Sequence, residues 1–326
     1  MRHLWSLLFP LLTLGFVATG PHRAVESLPG ILIVAAVVWV DWRARPAAAA
    51  PHDGDGWRFT AIAVTLALVQ LLTLALLVRM IARSGWTWDL LIVGWFIGNN
   101  SGWGSLVVAH ELIHRRSRLL RLLGRALLAT VLYDHFFVEH RRGHHMRVAT
   151  VDDPATARFG ESYKAFFRRT VPAQFRSAWR LDRRAVVAGL GAELALVAAI
   201  TAVAGWPGLV IFLFQAHNAV SVLEAVNYFE HWGLLRAGAR PGARDAWDSG
   251  SWLTHYTLIG LSRHADHHAH ASRPFQTLRA VDESPKLPGG YYAMVALAQM
   301  RNGKFRALMT DELRRKKLGP FAEPRA

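Results

Sequence analysis

The sequence predicts an all-α membrane protein with six transmembrane helices and a histidine-rich cytoplasmic cap. Apolar residues make up 52% of the 326-residue chain and lie in long runs, as in membrane spans rather than in a soluble core. Basic residues cluster in the loops on one side of these runs, and most histidines fall into four short packets. We divide the chain into a six-span domain at 1–232, which includes histidine-rich loops, and a cytoplasmic cap at 233–326.

Six apolar runs are candidate spans, because a helix needs about 20 mostly apolar residues to cross a bilayer. The strongest candidate is residues 59–82. The next run, residues 87–110, has glycines in its middle, which favour close packing between helices. The last two runs are separated by a hinge in the sequence GWPG. The runs are residues 4–19, 28–42, 59–82, 87–110, 185–204 and 206–230.

The charge distribution predicts the orientation. The formal net charge is +15, and arginines crowd the loops at 41–58, 115–125 and 141–184, whereas the alternate loops carry few. The positive-inside rule then places both termini and all the basic loops in the cytoplasm. Residues 119–138 are best interpreted as a non-spanning helix at that face, and 47–51 as a linker. Since no nucleic-acid-binding motif accompanies the charge, we expect a lipid bilayer and no nucleic acid as partner.

The histidines are the unusual feature of this chain. Of 16 histidines, 13 lie between residues 110 and 270, and nine form four packets within HELIH, EHRRGHH, EHW and RHADHH. The chain has no cysteine, which excludes thiolate metal sites and iron–sulfur clusters. The packet residues are His110, His114, His140, His144, His145, His231, His264, His267 and His268.

The spacing within the packets indicates metal binding. Residues four apart share a helix face, so we expect His110 to pair with His114, His140 with His144, and His264 with His268. A pair with an adjacent third histidine can address two neighbouring ions, and nine imidazoles suit two ions better than one. HELIH also matches the H-E-x-x-H pattern of zinc peptidases, in which Glu111 would be the general base. A metal-handling transporter is a further alternative, but its polar residues should be spread through the membrane.

The packets in their wider context resemble the integral-membrane alkane 1-monooxygenases, within the membrane fatty-acid desaturase and hydroxylase superfamily. The resemblance covers roughly residues 87–300 and is closest over EHRRGHHMRVATVDDPATARFGES at 139–162. It implies a non-haem centre of two iron ions held by the nine packet histidines, with O₂ as cosubstrate. The implied reaction hydroxylates the terminal methyl group of a medium-chain alkane or similar apolar substrate.

The resemblance also implies a setting and partners. It implies a bacterial inner membrane, a metal site on the cytoplasmic side, and electrons from rubredoxin, which an NADH-dependent reductase reduces. Trp232, Ser262 and Ala265 depart from the usual motifs. A fatty-acyl desaturase or hydroxylase and an alkyl-aromatic monooxygenase of the same superfamily therefore stay open.

Polar residues beside the packets are candidates to orient the ligands, because a metal-bound histidine donates its other N–H to a carboxylate or carbonyl. Asp152 and Asp153 are further candidates for this role, or they cap a turn. Arg141 and Arg142 would suit an acidic redox partner, although the positive-inside rule explains them equally well. The main candidates are Glu111, Glu139, Asn227, Glu230 and Asp266.

A last set of residues concerns the substrate. Trp95, Phe96 and Trp103 lie on the fourth apolar run, where they would line a passage from the bilayer to the metal site. Ordinary packing between helices is the simpler interpretation of these aromatic side chains.

Overall fold

The computed structural model describes residues 2–47, 51–52, 56–236 and 238–323. Within these ranges the regular secondary structure is helical, and the only extended pairings are isolated bridges outside any strand. This confirms the predicted all-α class. The linker predicted at 47–51 lies largely outside the described residues.

The N-terminal helices coincide with the first four apolar runs. A 3₁₀ segment at Arg2–Leu7 leads into α1, and a second one at Ala24–Ser27 leads into α2. After α3, the chain stays helical from Leu90 to Ile113, with a π-helical turn at Ser101–Leu106 between α4 and α5. The helices are α1 (Leu8–Ala18), α2 (Leu28–Arg43), α3 (Gly56–Ser84), α4 (Leu90–Asn100) and α5 (Val107–Ile113).

The remaining helices are one long element, α10, and shorter helices that precede and follow it in the chain. The loops between them carry short 3₁₀ segments at Phe275–Thr277 and Gly319–Phe321. The helices are α6 (Arg118–Ala129), α7 (Phe136–Val138), α8 (His145–Arg147), α9 (Tyr163–Leu181), α10 (Arg183–His231), α11 (Trp252–Thr257), α12 (His264–Ala269), α13 (Tyr291–Met300) and α14 (Asn302–Lys316).

Three helical stretches are long and apolar enough to cross a membrane, namely Ala24–Arg43, Gly56–Ser84 and Arg183–His231. The chain is therefore a membrane protein by the length and composition of its helices. The other predicted spans are also helical but shorter or interrupted, so the count of six and the cytoplasmic cap stay predictions. Helix α6 has 12 residues, about 18 Å, which is too short to cross a hydrocarbon core of roughly 30 Å.

Helix α10 folds back on itself at the predicted GWPG hinge. Its 49 residues would measure about 73 Å if straight, more than twice the thickness of a bilayer core. Gly205 interrupts it with φ 62° and ψ −160°, a conformation that favours glycine. A Cβ on Gly208 would lie 3.4 Å from Ile200, which a straight helix would hold about 12 Å away. The predicted hinge is thus confirmed.

A buried polar chain fixes the helices around the first π-helical turn. Gln70 on α3 donates to Ser101 over 2.8 Å and accepts from Asn100 over 2.6 Å. Ser101 in turn donates to Gln215 on α10 over 2.9 Å. Polar groups within spans are costly unless they pair in this way, so these bonds set the register of α3, α4 and α10.

The C-terminal segment packs against the end of α10, where His231 lies, and holds it in place. Trp232 and Trp247 are fully buried, and the Trp247 indole donates to the Trp232 carbonyl over 3.0 Å. The Trp232 indole donates to the Glu161 carbonyl over 3.1 Å. Because both indoles are held by packing and hydrogen bonds, they fix the chain directly after His231.

Candidate metal centre

Helix α5 supplies the first two packet histidines. His110 lies in its last turn and His114 at its C-cap, one helical turn further on. Their ring centroids are 5.2 Å apart, so both imidazoles lie on one face of the helix. This confirms the expected pairing of His110 with His114.

The second packet has a different geometry from the one predicted. Residues Glu139–His144 form a π-helical turn, in which backbone bonds connect residues five apart. His140 therefore aligns with His145, and their Nε2 atoms are 3.0 Å apart. The expected pairing of His140 with His144 is wrong, because the wider turn directs His144 to another set of histidines.

The last two packets come from α10 and α12. His264 and His268 lie one turn apart on α12 with their Nε2 atoms 3.0 Å from each other, which confirms the expected pairing. His231 at the end of α10 joins them, with its Nε2 atom 3.2 Å from that of His264. His267 points the other way and approaches His145 with an Nε2–Nε2 distance of 3.1 Å.

The nine histidines thus form two groups, and within each group the candidate ligand atoms lie within 4.8 Å of one another. The groups adjoin, because neighbouring residues of the second packet, His144 and His145, belong to different groups. We call them group 1, which is His110, His114, His140, His145 and His267, and group 2, which is His144, His231, His264 and His268.

Both groups fit metal ions. The Nε2 atoms of His110, His114 and His144 are buried and have no hydrogen-bond partner among the described residues, although buried polar atoms normally find one. Imidazole nitrogens bound at about 2.1 Å and at right angles to each other would be about 3.0 Å apart. The observed separations of 3.0 to 3.2 Å match this spacing, so the nitrogens could share an ion without a large rearrangement.

The electrostatics of the site keep the imidazoles neutral, which metal binding requires. Burial holds the pKa of His140 and of His145 well below its usual value, and the neighbouring histidines lower it further. The same causes lower the pKa of His264, His267 and His268. At neutral pH these side chains are therefore uncharged, and each has one ring nitrogen with a lone pair that can bind a metal ion.

The lowered pKa values predict that the metal-free protein loses stability in acid. Unfolded histidines titrate near pH 6.5, so below that pH the unfolded chain binds more protons than the folded one. Each such group contributes up to about 1.4 kcal/mol per pH unit. We expect the unfolding temperature in detergent, followed by circular dichroism, to fall between pH 7.5 and pH 5, and less steeply in the His145→Ala variant. An equal slope in both proteins would contradict the assignment.

One carboxylate orients a histidine of group 2. Asp153 is fully buried and its Oδ2 atom lies 2.9 Å from Nδ1 of His144, while Thr156 donates to the same oxygen over 2.6 Å. Burial favours a raised pKa of the Asp153 carboxyl, but the nearby His144 and these hydrogen bonds hold it below its usual value. Asp153 thus stays ionised, and Nδ1 of His144 is the hydrogen-bond donor. Asp152 is exposed and makes no such contact.

Glu230 also reaches the site. Its Oε2 atom lies 3.2 Å from Nε2 of His264, the nitrogen that faces the group, and Tyr291 donates to Oε1 over 2.6 Å. The sequence spacing does not predict that Tyr291 and His264 both contact Glu230, because these contacts depend on how α13 packs against the end of α10. Glu230 therefore contacts one histidine of group 2 at the nitrogen that faces the group.

The other four predicted orienting residues bind elsewhere. None of them has a hydrogen bond to a histidine of either group among the described contacts, so adjacency in sequence was a poor guide to these partners. Glu111 pairs with Arg115, Glu139 with Arg147, Asn227 with Glu224, and Asp266 with Arg273. For Glu111 the ion pair with Arg115 measures 2.6 Å, and burial nevertheless raises the pKa of its carboxyl to about 7.

Comparison with known proteins places these residues in a family. The family model described as fatty acid desaturase matches residues 84–298, which include all nine packet histidines. The chain belongs to the fatty acid desaturase family. Within that family it falls with the alkane 1-monooxygenases, which confirms the resemblance drawn from the motifs.

Two relatives from Pseudomonas aeruginosa carry this assignment. Alkane 1-monooxygenase 1 is 40% identical over 72% of this chain and 66% of its own length, and alkane 1-monooxygenase 2 is 38% identical over 76% and 73%. The xylene/toluene monooxygenase hydroxylase component of Pseudomonas putida is 27% identical over 58% of this chain and 55% of its own length. The similarity to alkane 1-monooxygenases, the family match and the histidine groups together support alkane hydroxylation at a histidine-ligated metal centre.

Proposed function

We propose that this chain is a membrane monooxygenase that uses O₂ to hydroxylate the terminal methyl group of a medium-chain alkane or a similar alkyl group. The observation that carries the proposal is the convergence of nine histidines into two adjacent groups. The relatives named alkane 1-monooxygenase support the substrate class.

The proposed cofactor is a pair of non-haem iron ions, one held by group 1 and the other by group 2. Imidazole suits iron as well as zinc and copper, and family membership supports the choice of iron. When bound, the ions would supply the oxidising power that an alkane C–H bond requires, since such a bond offers no handle for acid–base chemistry. Asp153 would keep the His144 ring in its ligand orientation.

The reaction balances only with an external reductant. One C–H bond and the O–O bond break, a C–OH group forms, and the second oxygen atom leaves as water. O₂ accepts four electrons, of which two come from the C–H bond and two from a donor, together with two protons. We propose rubredoxin, reduced by an NADH-dependent reductase, as that donor.

A small cavity beside group 1, lined by Glu111 as well as by apolar side chains, is the proposed position of the methyl end of an alkyl chain. His110 and His267 are exposed to it, so a carbon atom in the cavity would lie next to the group. Most of its walls are apolar, which fits a substrate that dissolves in the bilayer. The apolar side chains that line it are Val107, Ile259, Leu261, Phe275 and Leu278.

The aromatic residues of the fourth run pack within the fold. The Trp103 ring lies 4.7 Å from that of Tyr292, and the Phe96 ring lies 5.7 Å from that of Phe16. Trp95 stacks edge-on against Phe96 at 5.1 Å. These contacts support ordinary helix packing, so the proposed substrate contact rests on the cavity beside group 1.

The membrane setting of the proposal follows from the charge of the loops. We place the protein in the bacterial inner membrane, with six spans in residues 1–232 and a cap at 233–326 that completes the metal site. The arginine-rich loops support a site on the cytoplasmic side, where a soluble donor could reach it.

Whole-cell turnover tests the function. Cells that express the chain together with rubredoxin and its reductase are expected to convert octane to 1-octanol, measured by gas chromatography. Omission of the rubredoxin system should abolish the product. No product from any alkane or alkyl-aromatic would contradict the proposal, and one zinc ion per chain without iron would revive the peptidase interpretation.

An alkyl-aromatic substrate is the second candidate, favoured by the similarity to the xylene/toluene monooxygenase component. The same cells supplied with p-xylene would then form the benzylic alcohol faster than 1-octanol. Unsaturated products from fatty acyl chains would instead indicate a desaturase.

A further inference from the structure

A positively charged cleft lies beside group 2, on the outer side of Asp153. It is formed by α9 and the loop that follows the second packet. Ala173 and Ser177 form its neutral wall, and Asp152 and Asp153 are its acidic residues. Five arginines line it, namely Arg147, Arg158, Arg169, Arg176 and Arg180.

Three of these arginines have their charge available. Arg147 pairs with Glu139 and Arg169 with Glu161, each within 2.8 Å. Arg158, Arg176 and Arg180 are exposed and form no ion pair with a described residue. Only one exposed acid of the cleft, Asp152, opposes them.

The charges are held on one rigid surface. Residues 169, 173, 176 and 180 recur at intervals of three and four, so they share a face of α9. The helix is fixed from behind, because Gln174 donates to buried Glu224 on α10 over 2.9 Å. The arrangement is therefore preorganised for an acidic partner rather than for a single small ion.

The cleft is connected to the metal centre by a single hydrogen bond. Asp153 belongs to the cleft wall, and its Oδ2 atom is 2.9 Å from Nδ1 of His144 in group 2. A molecule seated in the cleft would lie beside Asp153, whose buried side chain contacts the candidate ligand His144. A short distance to the metal centre is important for an electron carrier, because electrons must cross it. The same distance has no importance for the binding of an anionic lipid headgroup.

The proposed reaction needs two electrons from outside the chain, which has no cysteine to hold an iron–sulfur centre of its own. We propose that this cleft is the docking surface for an acidic one-electron carrier protein and that electrons enter at the Asp153–His144 hydrogen bond. Two carrier molecules would each be oxidised by one electron per hydroxylation. The inference rests on the proposed function.

The arginines of the second packet are less suitable for this docking. Arg142 is paired with Asp182 over 2.9 Å, and Arg141 lies over the Phe137 ring at 5.0 Å. They therefore provide a matched control, since reversing two charges there changes the net charge of the protein by the same amount.

The test uses metal-loaded protein in phosphatidylcholine nanodiscs and reduced rubredoxin, with rubredoxin oxidation and binding measured as functions of salt. For the Arg176→Glu, Arg180→Glu double variant we expect at least a tenfold lower second-order rate and a flatter salt dependence. The neutral Arg176→Gln, Arg180→Gln pair should show a smaller loss in the same direction. Metal content and reduction by dithionite should not change.

Other outcomes would overturn the proposal. Equal losses in the Arg141→Glu, Arg142→Glu variant would show that net charge alone matters. Unchanged rubredoxin rates, with loss of binding to phosphatidylglycerol in the cleft variant, would assign the arginines to lipid. A chain that is normally reduced by rubredoxin and yet hydroxylates nothing would contradict the proposed function and leave the docking surface intact.

Discussion

Replacing His144 by Ala is expected to abolish hydroxylation and to reduce the iron content from about two ions per chain to about one. His144 belongs to group 2, where its buried Nε2 atom has no hydrogen-bond partner among the described residues. Group 2 has four imidazoles, so loss of one leaves an incomplete and more open site. Iron in purified protein, measured by plasma emission spectrometry, and octane turnover check both parts of the expectation.

The matched control is His52→Ala. His52 is exposed and packs edge-on against Phe59 at 5.1 Å, outside both groups, so this variant should keep its metal and its activity. A His140→Ala variant should also lose about one ion, but from group 1. Mössbauer spectra of the His144 and His140 variants should then differ. Full iron content in His144→Ala would contradict the division into two groups.

Asp153→Asn is expected to weaken iron binding and activity by about 10- to 100-fold, which is the usual effect of removing a carboxylate behind a ligating histidine. The change keeps the size of the side chain but removes the charge that faces Nδ1 of His144. It also disturbs the bond from Thr156, so the loop should hold the ring less firmly. Competition with a chelator measures the affinity directly, without reference to turnover.

The neighbouring Asp152→Asn variant removes the same charge from an exposed position and is expected to bind iron normally. If both variants lose affinity equally, the effect is one of local charge and not of the hydrogen bond to His144. Retained affinity in Asp153→Asn would show that packing alone orients the ring.

Much of this protein could be predicted from particular residues. The apolar runs predicted the helices, because a backbone buried in a bilayer requires intrahelical hydrogen bonds. Gly205 in GWPG marked the hinge of α10, since few other residues adopt that conformation. The spacings of His110 with His114 and of His264 with His268 predicted two pairs that share a group, as α-helical geometry requires.

The helical hydrogen-bonding register of the second packet could not be predicted from the sequence. Nothing in EHRRGHH distinguishes a π-helical turn from an α-helical one, because the choice depends on which pairing lets the buried side chains meet their partners. The sequence likewise does not distinguish Asp152 from Asp153, because they are adjacent residues of the same type. The conformation of the loop directs Asp153 inward to His144. Sequence neighbours such as Glu111 and Asp266 bind arginines instead.

By itself, the sequence determined an all-helical membrane protein with nine histidines in four packets, because hydrophobic length and ligand type are local properties. Only the tertiary structure decided that the packets divide into groups of five and four, that Glu230 faces group 2, and that α9 places free arginines beside Asp153. These are distances between residues up to 157 positions apart, such as His110 and His267, and they depend on how whole helices pack.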